Sequence, residues 1–350
     1  MKKFLISLVL LVILIGCSGG DGTSSKKTLR IFNVGAYIDT ELLKKFEQQE
    51  NVQIVYETFD SNESMIVKVE TGGSQYDLVV PSDYMIEKMI KDDMLLKIDH
   101  NQIPNLKYLL ASTKNKHYDP NMEYSVPYFW GNVGIVYDKT KIDASDVESQ
   151  GWEVLRNPKY KGMLYFYDSE RDAFMVALKA LGYSMNSENP QELEKAYQWL
   201  LEMNQTMSPV FVDDQSIDGM ISGNKYLANM YSGDAAHVLS ENKNLAYYVP
   251  HQGTNIWQDA MVILKDAKEP ELAMKFMNFM LDPENNKQNS LEVGYQSVLE
   301  SVFNELVSEG GNFYENEAYM IHNNDKNEEF VYHPKTRQII SDYWTKVKGN

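Results

Sequence analysis

Cysteine, histidine and positive charge are all scarce in this sequence, and each shortage excludes a class of function. Cysteine occurs once, at Cys17, so no disulfide bond can form within the chain. The 33 lysines and arginines are outnumbered by 50 acidic residues, which gives a formal net charge of −17. Nucleic-acid binding is therefore not expected, because phosphate backbones require a basic surface. The excess of acid favours a cationic partner instead.

Motifs of catalysis and phosphate binding are also missing. The chain has no glycine-rich phosphate loop, no Gly-x-Ser-x-Gly elbow and no His-Glu-x-x-His pair. Its six histidines stand singly along the sequence. We therefore predict a binding protein rather than an enzyme, without a cofactor and without a metal site.

The first residues have the pattern of an export signal. Lys2 and Lys3 precede an apolar run over residues 4–15. Twelve residues are too few to cross a bilayer, since a spanning helix takes about 20. Residues 1–16 are predicted to be a signal peptide, and the remaining length of the 350-residue chain suggests two domains.

The end of this signal resembles the lipoprotein box of bacteria, in which a cysteine is lipidated and becomes the new N-terminus. The matching residues are Leu14-Ile15-Gly16-Cys17, and a Ser- and Gly-rich tether follows within residues 17–27. The alternative is an ordinary signal with a chance cysteine. Because residues 1–16 contain two lysines and no acid, the processed chain would carry a formal charge of −19.

Strand-like and helix-like patterns alternate along the rest of the chain. Short apolar or β-branched runs predict strands at 29–33, 52–59, 76–80, 163–166 and 227–230. Apolar residues at helical spacing predict helices at 42–46, 65–70, 85–90, 174–181, 193–203 and 271–281. Asn189 with Pro190 and Glu192 predicts a capped helix start. This rhythm indicates an α/β fold with mostly parallel sheets.

Acidic and aromatic side chains recur together at the predicted strands. Trp257 and Asp259 are two apart in a strand, so they would share a face and could hold an alkylammonium group between an indole ring and a carboxylate. The alternative is a core tryptophan beside a strand-end acid. Spacing does not separate the two.

Three further clusters follow predicted strands, where open α/β sheets place ligands. They contain Ser82 with Asp83, Ser169 with Asp172, and Asp234. As an alternative, Ser82 or Asp83, Ser169, and Asp234 could each be a helix N-cap, with Asp172 at the third position after the cap Ser169.

At this point several motifs resemble the spermidine/putrescine-binding proteins of bacterial polyamine ABC transporters. The resemblance runs in order from about Leu29 to the C-terminus. The motifs that carry it are Ile31-Phe32-Asn33 with Tyr37, Tyr56 to Glu63, Tyr76 to Ser82, Tyr124 to Gly131, Asn157 to Gly162 and Trp257-Gln258-Asp259.

The resemblance implies a two-lobe periplasmic-binding-protein clamp, with a mixed sheet flanked by helices in each lobe and strands crossing between them. Lobe one would comprise 28–130 plus 256–302, and lobe two 131–255 plus 303–350. The expected partners are a polyamine ligand, the membrane permease of an ABC transporter, and the membrane itself through the lipid anchor. The protein would be an exported monomer facing the periplasm or the cell exterior.

The resemblance also implies a set of ligand-binding residues: Tyr37, Ser82, Tyr84, Asp172, Tyr231, Asp234, Trp257, Asp259 and Tyr295. Asp259 stands where the family has its central amine-binding carboxylate, and Asp234 matches an acid of its putrescine-selective branch. Ser169, Val331 and the Val34-Gly35-Ala36 segment depart from the family pattern. These departures leave the choice between diamine and triamine open.

Two rival functions remain at the level of sequence. One is a clamp that binds another solute such as ferric iron, because ferric-binding proteins of similar architecture use adjacent tyrosines like Tyr247 and Tyr248. We favour a strand over 246–250 as the explanation of this pair. The other rival is a lipid-anchored surface protein that contacts host molecules.

Overall fold

A computed structural model describes residues 26–72, 75–320 and 322–349 of the chain. The predicted signal peptide, Cys17 and most of the predicted tether lie outside these residues.

The described residues contain one sheet of nine strands in the order β2-β1-β3-β9-β4-β7-β5-β6, with β8 paired to β4 beside this path. The strands are β1 (Thr28–Val34), β2 (Gln53–Phe59), β3 (Leu78–Val79), β4 (Ser125–Asp138), β5 (Leu164–Tyr167), β6 (Val210–Val212), β7 (Leu227–Tyr231), β8 (Leu245–Tyr248) and β9 (Ile256–Ile263).

Helices flank this sheet. The α-helices are α1 (Thr40–Glu50), α2 (Asn62–Glu70), α3 (Asp83–Lys91), α4 (Ala144–Gln150), α5 (Glu170–Ala180), α6 (Pro190–Met207), α7 (Gln215–Ile221), α8 (Ser232–Glu241), α9 (Pro270–Met280), α10 (Pro283–Val293), α11 (Glu300–Val307) and α12 (Pro334–Lys348). Short 3₁₀ turns lie at His100–Gln102, Pro104–Tyr108, Ala111–Thr113, Gly151–Arg156, Pro158–Tyr160 and Glu317–Tyr319. Within the part of the chain that the structure covers, no helix is both long enough and apolar enough to cross a membrane.

The predicted α/β class is confirmed, but the prediction of mostly parallel sheets is wrong at the centre. Strands β1, β2 and β3 are parallel, as are β5, β6 and β7, whereas β4 and β9 run antiparallel to all their neighbours. Parallel neighbours need a crossover connection of about a dozen residues or more, which is usually helical. The alternation of strands and helices does not show which strands become neighbours, so the antiparallel pairs of β4 and β9 are not visible in it.

Strand β4 joins the two halves of the sheet. Its first half, from Ser125 to Asn132, pairs with β9, and its second half, from Val133 to Asp138, pairs with β7 and β8. All fourteen of its residues are buried. The change of partner beside Asn132 falls close to the predicted lobe boundary at 130/131, and the lobe division itself stays a prediction.

Parallel strands bring the chain to a common edge of each half-sheet. Tyr37 follows the end of β1, and Ser82 follows β3 after a short gap. In the other half, α5 begins shortly after β5, and α8 begins directly after β7. Because the carboxyl ends of parallel strands meet at one edge, these loops collect the candidate side chains.

Candidate functional site

Asp259 is the buried acid at the middle of the candidate cluster. It lies on β9 with 8% of its surface exposed. The Tyr37 hydroxyl donates a hydrogen bond to its Oδ2 at 2.7 Å, and Ser82 forms an isolated β-bridge with it. Burial raises the pKa of the Asp259 carboxyl, while hydrogen bonds from Ser82 and Tyr37 and the charge of Arg171 oppose this.

Trp257 borders the same cluster, as the period of two along β9 predicts. Its ring meets Tyr295 edge-on at 5.2 Å between centroids and Tyr231 at 5.9 Å. Tyr295 in turn meets the ring of Tyr37 at 5.5 Å. The indole Nε1 of Trp257 is buried, with no hydrogen-bond partner among the described residues. An aromatic wall therefore runs beside Asp259.

Asp172 is the second buried acid, with 1% of its surface exposed. Its Oδ2 accepts hydrogen bonds from the Ser169 hydroxyl at 2.6 Å and the Tyr231 hydroxyl at 2.7 Å. Its Oδ1 is enclosed without a partner among the described residues. Ser169 is also the N-cap of α5 and accepts from the Asp172 amide. The predicted cap at Ser169 is therefore confirmed, and the same hydroxyl also contacts Asp172.

Asp234 is the third acid, and it is partly buried. The Tyr295 hydroxyl donates to its Oδ1 at 3.2 Å. Burial, followed by the nearby charge of Asp214, raises the pKa of Asp234 to about 7, against the hydrogen bond from Tyr295. Because α8 begins at Ser232, Asp234 lies within its first turn. The alternative in which Asp234 caps a helix beginning at Ala235 is therefore wrong.

Ser82 and Tyr84 contact the cluster in different ways. Ser82 occupies the N-cap position of α3 without a side-chain capping bond, and its hydroxyl accepts from Asn62 Nδ2 at 3.0 Å. The Tyr84 hydroxyl donates to Glu63 Oε1 at 3.0 Å. The Tyr84 ring connects to the cluster through the Arg171 guanidinium, which lies 4.3 Å from its centroid.

All nine residues implied by the resemblance thus lie in one chain of contacts. Eight of them are linked through direct hydrogen bonds, backbone pairing or ring contacts, and Tyr84 joins through Arg171. A neighbouring cavity, lined by Tyr84, Arg171, Phe330 and Val331 among others, borders this cluster rather than containing it.

Asp83 and Arg171 also belong to this network. The sequence grouped Asp83 with Ser82 in a candidate cluster, but neither Asp83 nor Arg171 is among the nine implied residues. Asp83 is 1% exposed, and its Oδ1 accepts from the Tyr84 amide at 2.7 Å. Burial raises the pKa of Asp83 to about 7, against the charge of Arg171. The sequence signal for Asp83 is an acid in the short loop after a buried strand, at the start of a helix. Ordinary helix caps share that signal.

Two glycines make room for the aromatic wall. A Cβ atom at Gly131 would lie 2.8 Å from the Trp257 ring and overlap the Ser232 hydroxyl. A Cβ atom at Gly233 would overlap the Tyr295 ring. Glycine at these positions allows the backbones of β4 and α8 to approach the rings closely.

The adjacent tyrosines of the ferric-iron alternative lie in a strand, as predicted. Tyr247 and Tyr248 are successive residues of β8, so their side chains point to opposite faces. The Tyr247 hydroxyl donates to Asn132 Oδ1 at 2.6 Å, and that of Tyr248 to the Glu148 carbonyl at 3.2 Å. Among the described ranges, no group of three or more His, Cys, Asp or Glu side chains is arranged to hold a metal ion.

Comparison with known proteins defines the class to which this fold and cluster belong. A family model described as bacterial extracellular solute-binding protein matches residues 41–316, and the chain belongs to that family. Its fold is the α/β two-lobe clamp of periplasmic binding proteins.

Individual relatives show which members of this class the chain is similar to. The spermidine/putrescine-binding periplasmic protein of Escherichia coli (strain K12) is 35% identical over 269 residues, which cover 77% of this chain and 76% of the relative. The solved spermidine/putrescine ABC transporter substrate-binding protein of Streptococcus pneumoniae is 35% identical, with a TM-score of 0.76 over 92% of this chain and 98% of that chain. A solved lipoprotein of Treponema pallidum is 28% identical, with a TM-score of 0.76 over 92% and 99% of the two chains.

Proposed function

We propose that this protein captures a polyamine, putrescine or spermidine, and delivers it to the permease of an ABC transporter. The observation that carries the proposal is the joint presence of three carboxylates, two buried and one partly buried, and a continuous aromatic wall. The carboxylates belong to Asp172, Asp234 and Asp259. The names of the E. coli and S. pneumoniae relatives support the same ligand class.

The chemistry of the cluster matches a flexible diammonium or triammonium chain. An ammonium that leaves water needs a counter-charge and hydrogen-bond acceptors, which carboxylates supply. The methylene groups between ammonium ends need apolar cover, which the rings of Trp257, Tyr231 and Tyr295 supply together with cation–π attraction. Burial disfavours the charged state of Asp234 and Asp259, and a bound cation would offset that cost.

We propose that the ligand is held by the nine residues implied by the resemblance. These residues are Tyr37, Ser82, Tyr84, Asp172, Tyr231, Asp234, Trp257, Asp259 and Tyr295. They come from both sides of the point where β4 changes partners, which supports a cleft between lobe one (28–130 plus 256–302) and lobe two (131–255 plus 303–350). Closure of the lobes would enclose the ligand, and no residue of the cluster is assigned a catalytic role.

A thermal-shift screen tests the ligand class directly. A ligand that binds only the folded state adds about 2.7 kcal/mol of stability at 100 times its Kd. We expect the midpoint of unfolding to rise with putrescine or spermidine, and to stay unchanged with sugars, amino acids and ferric citrate. A shift with one of the latter and none with either polyamine would contradict the proposal.

We also propose that the mature protein is held to a bacterial membrane by a lipid on Cys17. The lipoprotein box at residues 14–17 supports this, as does the Treponema pallidum lipoprotein among the relatives. Two or more acyl chains anchor a protein firmly, whereas one does so only marginally. The variant Cys17→Ser should accumulate as unprocessed precursor or be released. A processed Cys17→Ser protein that still partitions into detergent would rule the anchor out.

A further inference from the structure

Arg171 joins three segments that are far apart in the sequence. It lies in the first turn of α5, and its guanidinium is enclosed between two aromatic rings. The centroid of the Tyr84 ring on α3 is 4.3 Å away, and that of Phe330, shortly before α12, is 4.5 Å away. Arg171 therefore bridges α3 and the segment that precedes α12.

The hydrogen-bonding groups of this arginine are only partly used. Its Nη2 lies 3.9 Å from Asp172 Oδ2, and Nε and Nη1 are enclosed without an acceptor among the described residues. Enclosed donors without acceptors are costly, and the two ring faces offset this cost through cation–π attraction. A surface arginine with a purely solubilising role would not lie in such a position.

The charge of Arg171 also acts on the acids of the cluster. It lowers the pKa of Asp83 and of Asp259, in both cases against the larger, raising effect of burial. Other charged groups act on these acids too. The charges of Asp259 and Glu329 act on the pKa of Asp83, and the charge of Asp83 acts on the pKa of His117. The charges of Glu63 and Asp172 act on the pKa of Arg171.

We propose that Arg171 is a positioning residue of the polyamine site: it supplies a built-in positive charge 3.9 Å from Asp172, and its guanidinium holds the rings of Tyr84 and Phe330. This inference rests on the proposed function. The two roles depend on different chemistry. The first requires only a positive charge, and the second requires the flat guanidinium, which stacks on rings in a way that a lysine ammonium does not.

Two substitutions separate these roles. Arg171→Gln removes the charge, whereas Arg171→Lys keeps the charge and removes the planar group. Arg156→Gln is the matched control, because it changes the net charge equally and also removes a cation–π contact, with Trp199 at 5.4 Å. The wild type and the three variants are titrated calorimetrically with putrescine between about pH 6 and pH 8.5, across the range in which the perturbed acids change charge.

The charge role predicts a change in the pH profile. Without Arg171 the acids hold their protons to higher pH, so the loss of affinity on acidification should begin about 0.5 pH unit or more higher in Arg171→Gln. Arg171→Lys and Arg156→Gln should keep the wild-type profile. An unshifted profile in Arg171→Gln, or an equal shift in Arg171→Lys, would overturn the charge role.

The stacking role predicts a change in ligand release. Loss of the double ring contact should speed putrescine dissociation by about 3- to 30-fold in Arg171→Lys, measured by stopped-flow tryptophan fluorescence at pH 8.5. Wild-type dissociation in Arg171→Lys would overturn this role.

The inference can fail or succeed independently of the ligand class. If the wild-type protein bound neither putrescine nor spermidine, the proposed function would fail while the charge role could still be measured in the ligand-free protein. An acid whose folded pKa is raised destabilises the fold as pH rises towards that pKa. The midpoint of unfolding should therefore drop more between pH 6 and pH 8.5 in Arg171→Gln than in Arg171→Lys. Equal drops would overturn the charge role by this second measurement.

Discussion

The two sides of the acidic cluster are built differently. Asp259 accepts a hydrogen bond from the hydroxyl of Tyr37, which is 222 residues away in the chain. Asp172 receives one hydroxyl from Ser169, three residues away, and one from Tyr231, 59 residues away. Asp234 has a single, longer bond from Tyr295 at 3.2 Å. The number and origin of the hydroxyl partners therefore differ from acid to acid.

This difference predicts a different role for each carboxylate. Asp259 depends on the tertiary fold for its partner and lies beside the Trp257 wall, which suits a central counter-charge. Asp234 is poorly compensated, and its pKa of about 7 lets it change charge near neutral pH. We therefore expect Asp259 to contribute most of the affinity, and Asp234 to make binding depend on pH and on the choice of polyamine.

The largest effect is expected at Asp259. Asp259→Asn keeps the shape and removes the charge, so a bound ammonium would lose its central counter-ion. Truncation of one partner in a buried charged pair typically costs about 2 to 5 kcal/mol, which is about 30-fold or more in Kd. Titration calorimetry with putrescine and spermidine measures this loss.

A matched control lies seven residues further along the chain. Asp266 is exposed, and Asp266→Asn makes the same chemical change with no expected loss of affinity. Wild-type affinity in Asp259→Asn, together with a native circular dichroism spectrum, would show that this acid is not the central counter-charge.

The second largest effect is expected from pH. Protons compete with an ammonium group for Asp234, whose pKa is raised to about 7. Affinity should therefore fall as pH is lowered through 7, by up to about tenfold per pH unit for each proton displaced. Calorimetry from pH 8 to pH 6 should show the fall, and Asp234→Asn should make it shallower.

The ligand-free protein should respond to pH in the opposite direction. Raised carboxyl pKa values mean that the folded state holds protons that the unfolded state has lost, so stability decreases as pH rises from the unfolded value towards 7. The unfolding midpoint without ligand should thus increase on acidification from pH 8 to pH 6. An affinity that stays constant across the same range would contradict the assigned role of these acids.

The sequence predicts the positions of Trp257 and Asp259 better than those of Asp172 and Asp234. The period of two along a strand is enough to place Trp257 and Asp259 on one face, because β9 is regular. Asp172 and Asp234 follow strands at helix starts, where capping residues look the same, so only the position of α8 excluded a cap at Asp234. The antiparallel course of β4 and β9 was missed, since periodicity does not reveal strand direction. Arg171 was missed because its two ring contacts come from distant segments.

A smaller effect is expected at the aromatic wall. Trp257→Leu keeps apolar cover and removes the ring face, which should cost about 1 to 2 kcal/mol, or about 5- to 30-fold in Kd. The loss should be smaller than that of Asp259→Asn in the same titrations. Trp199→Leu would not serve as a control, because Trp199 is a fully buried core residue. Comparison of unfolding midpoints shows whether Trp257→Leu remains folded. A folded variant with wild-type affinity would remove Trp257 from the site.

The smallest expected effect is on the choice between ligands, and it tests whether Asp234 belongs to a diamine site. Asp234 supplies a carboxylate from the first turn of α8, while Ser169 supplies only a hydroxyl beside Asp172. We therefore expect Asp234→Asn to weaken putrescine about 3- to 10-fold more than spermidine, which corresponds to roughly 0.7 to 1.4 kcal/mol. Helix capping does not compete with this explanation, because the N-cap position of α8 is Tyr231 and no side chain caps that end. Asn also retains an oxygen that accepts the bond from Tyr295, so the change isolates the charge.

Calorimetric titration of both polyamines at pH 8, where Asp234 is mostly ionised, gives the ratio of the two affinities. Equal losses for the two ligands would leave Asp234 as a general counter-charge, and no loss for either would place it outside the site.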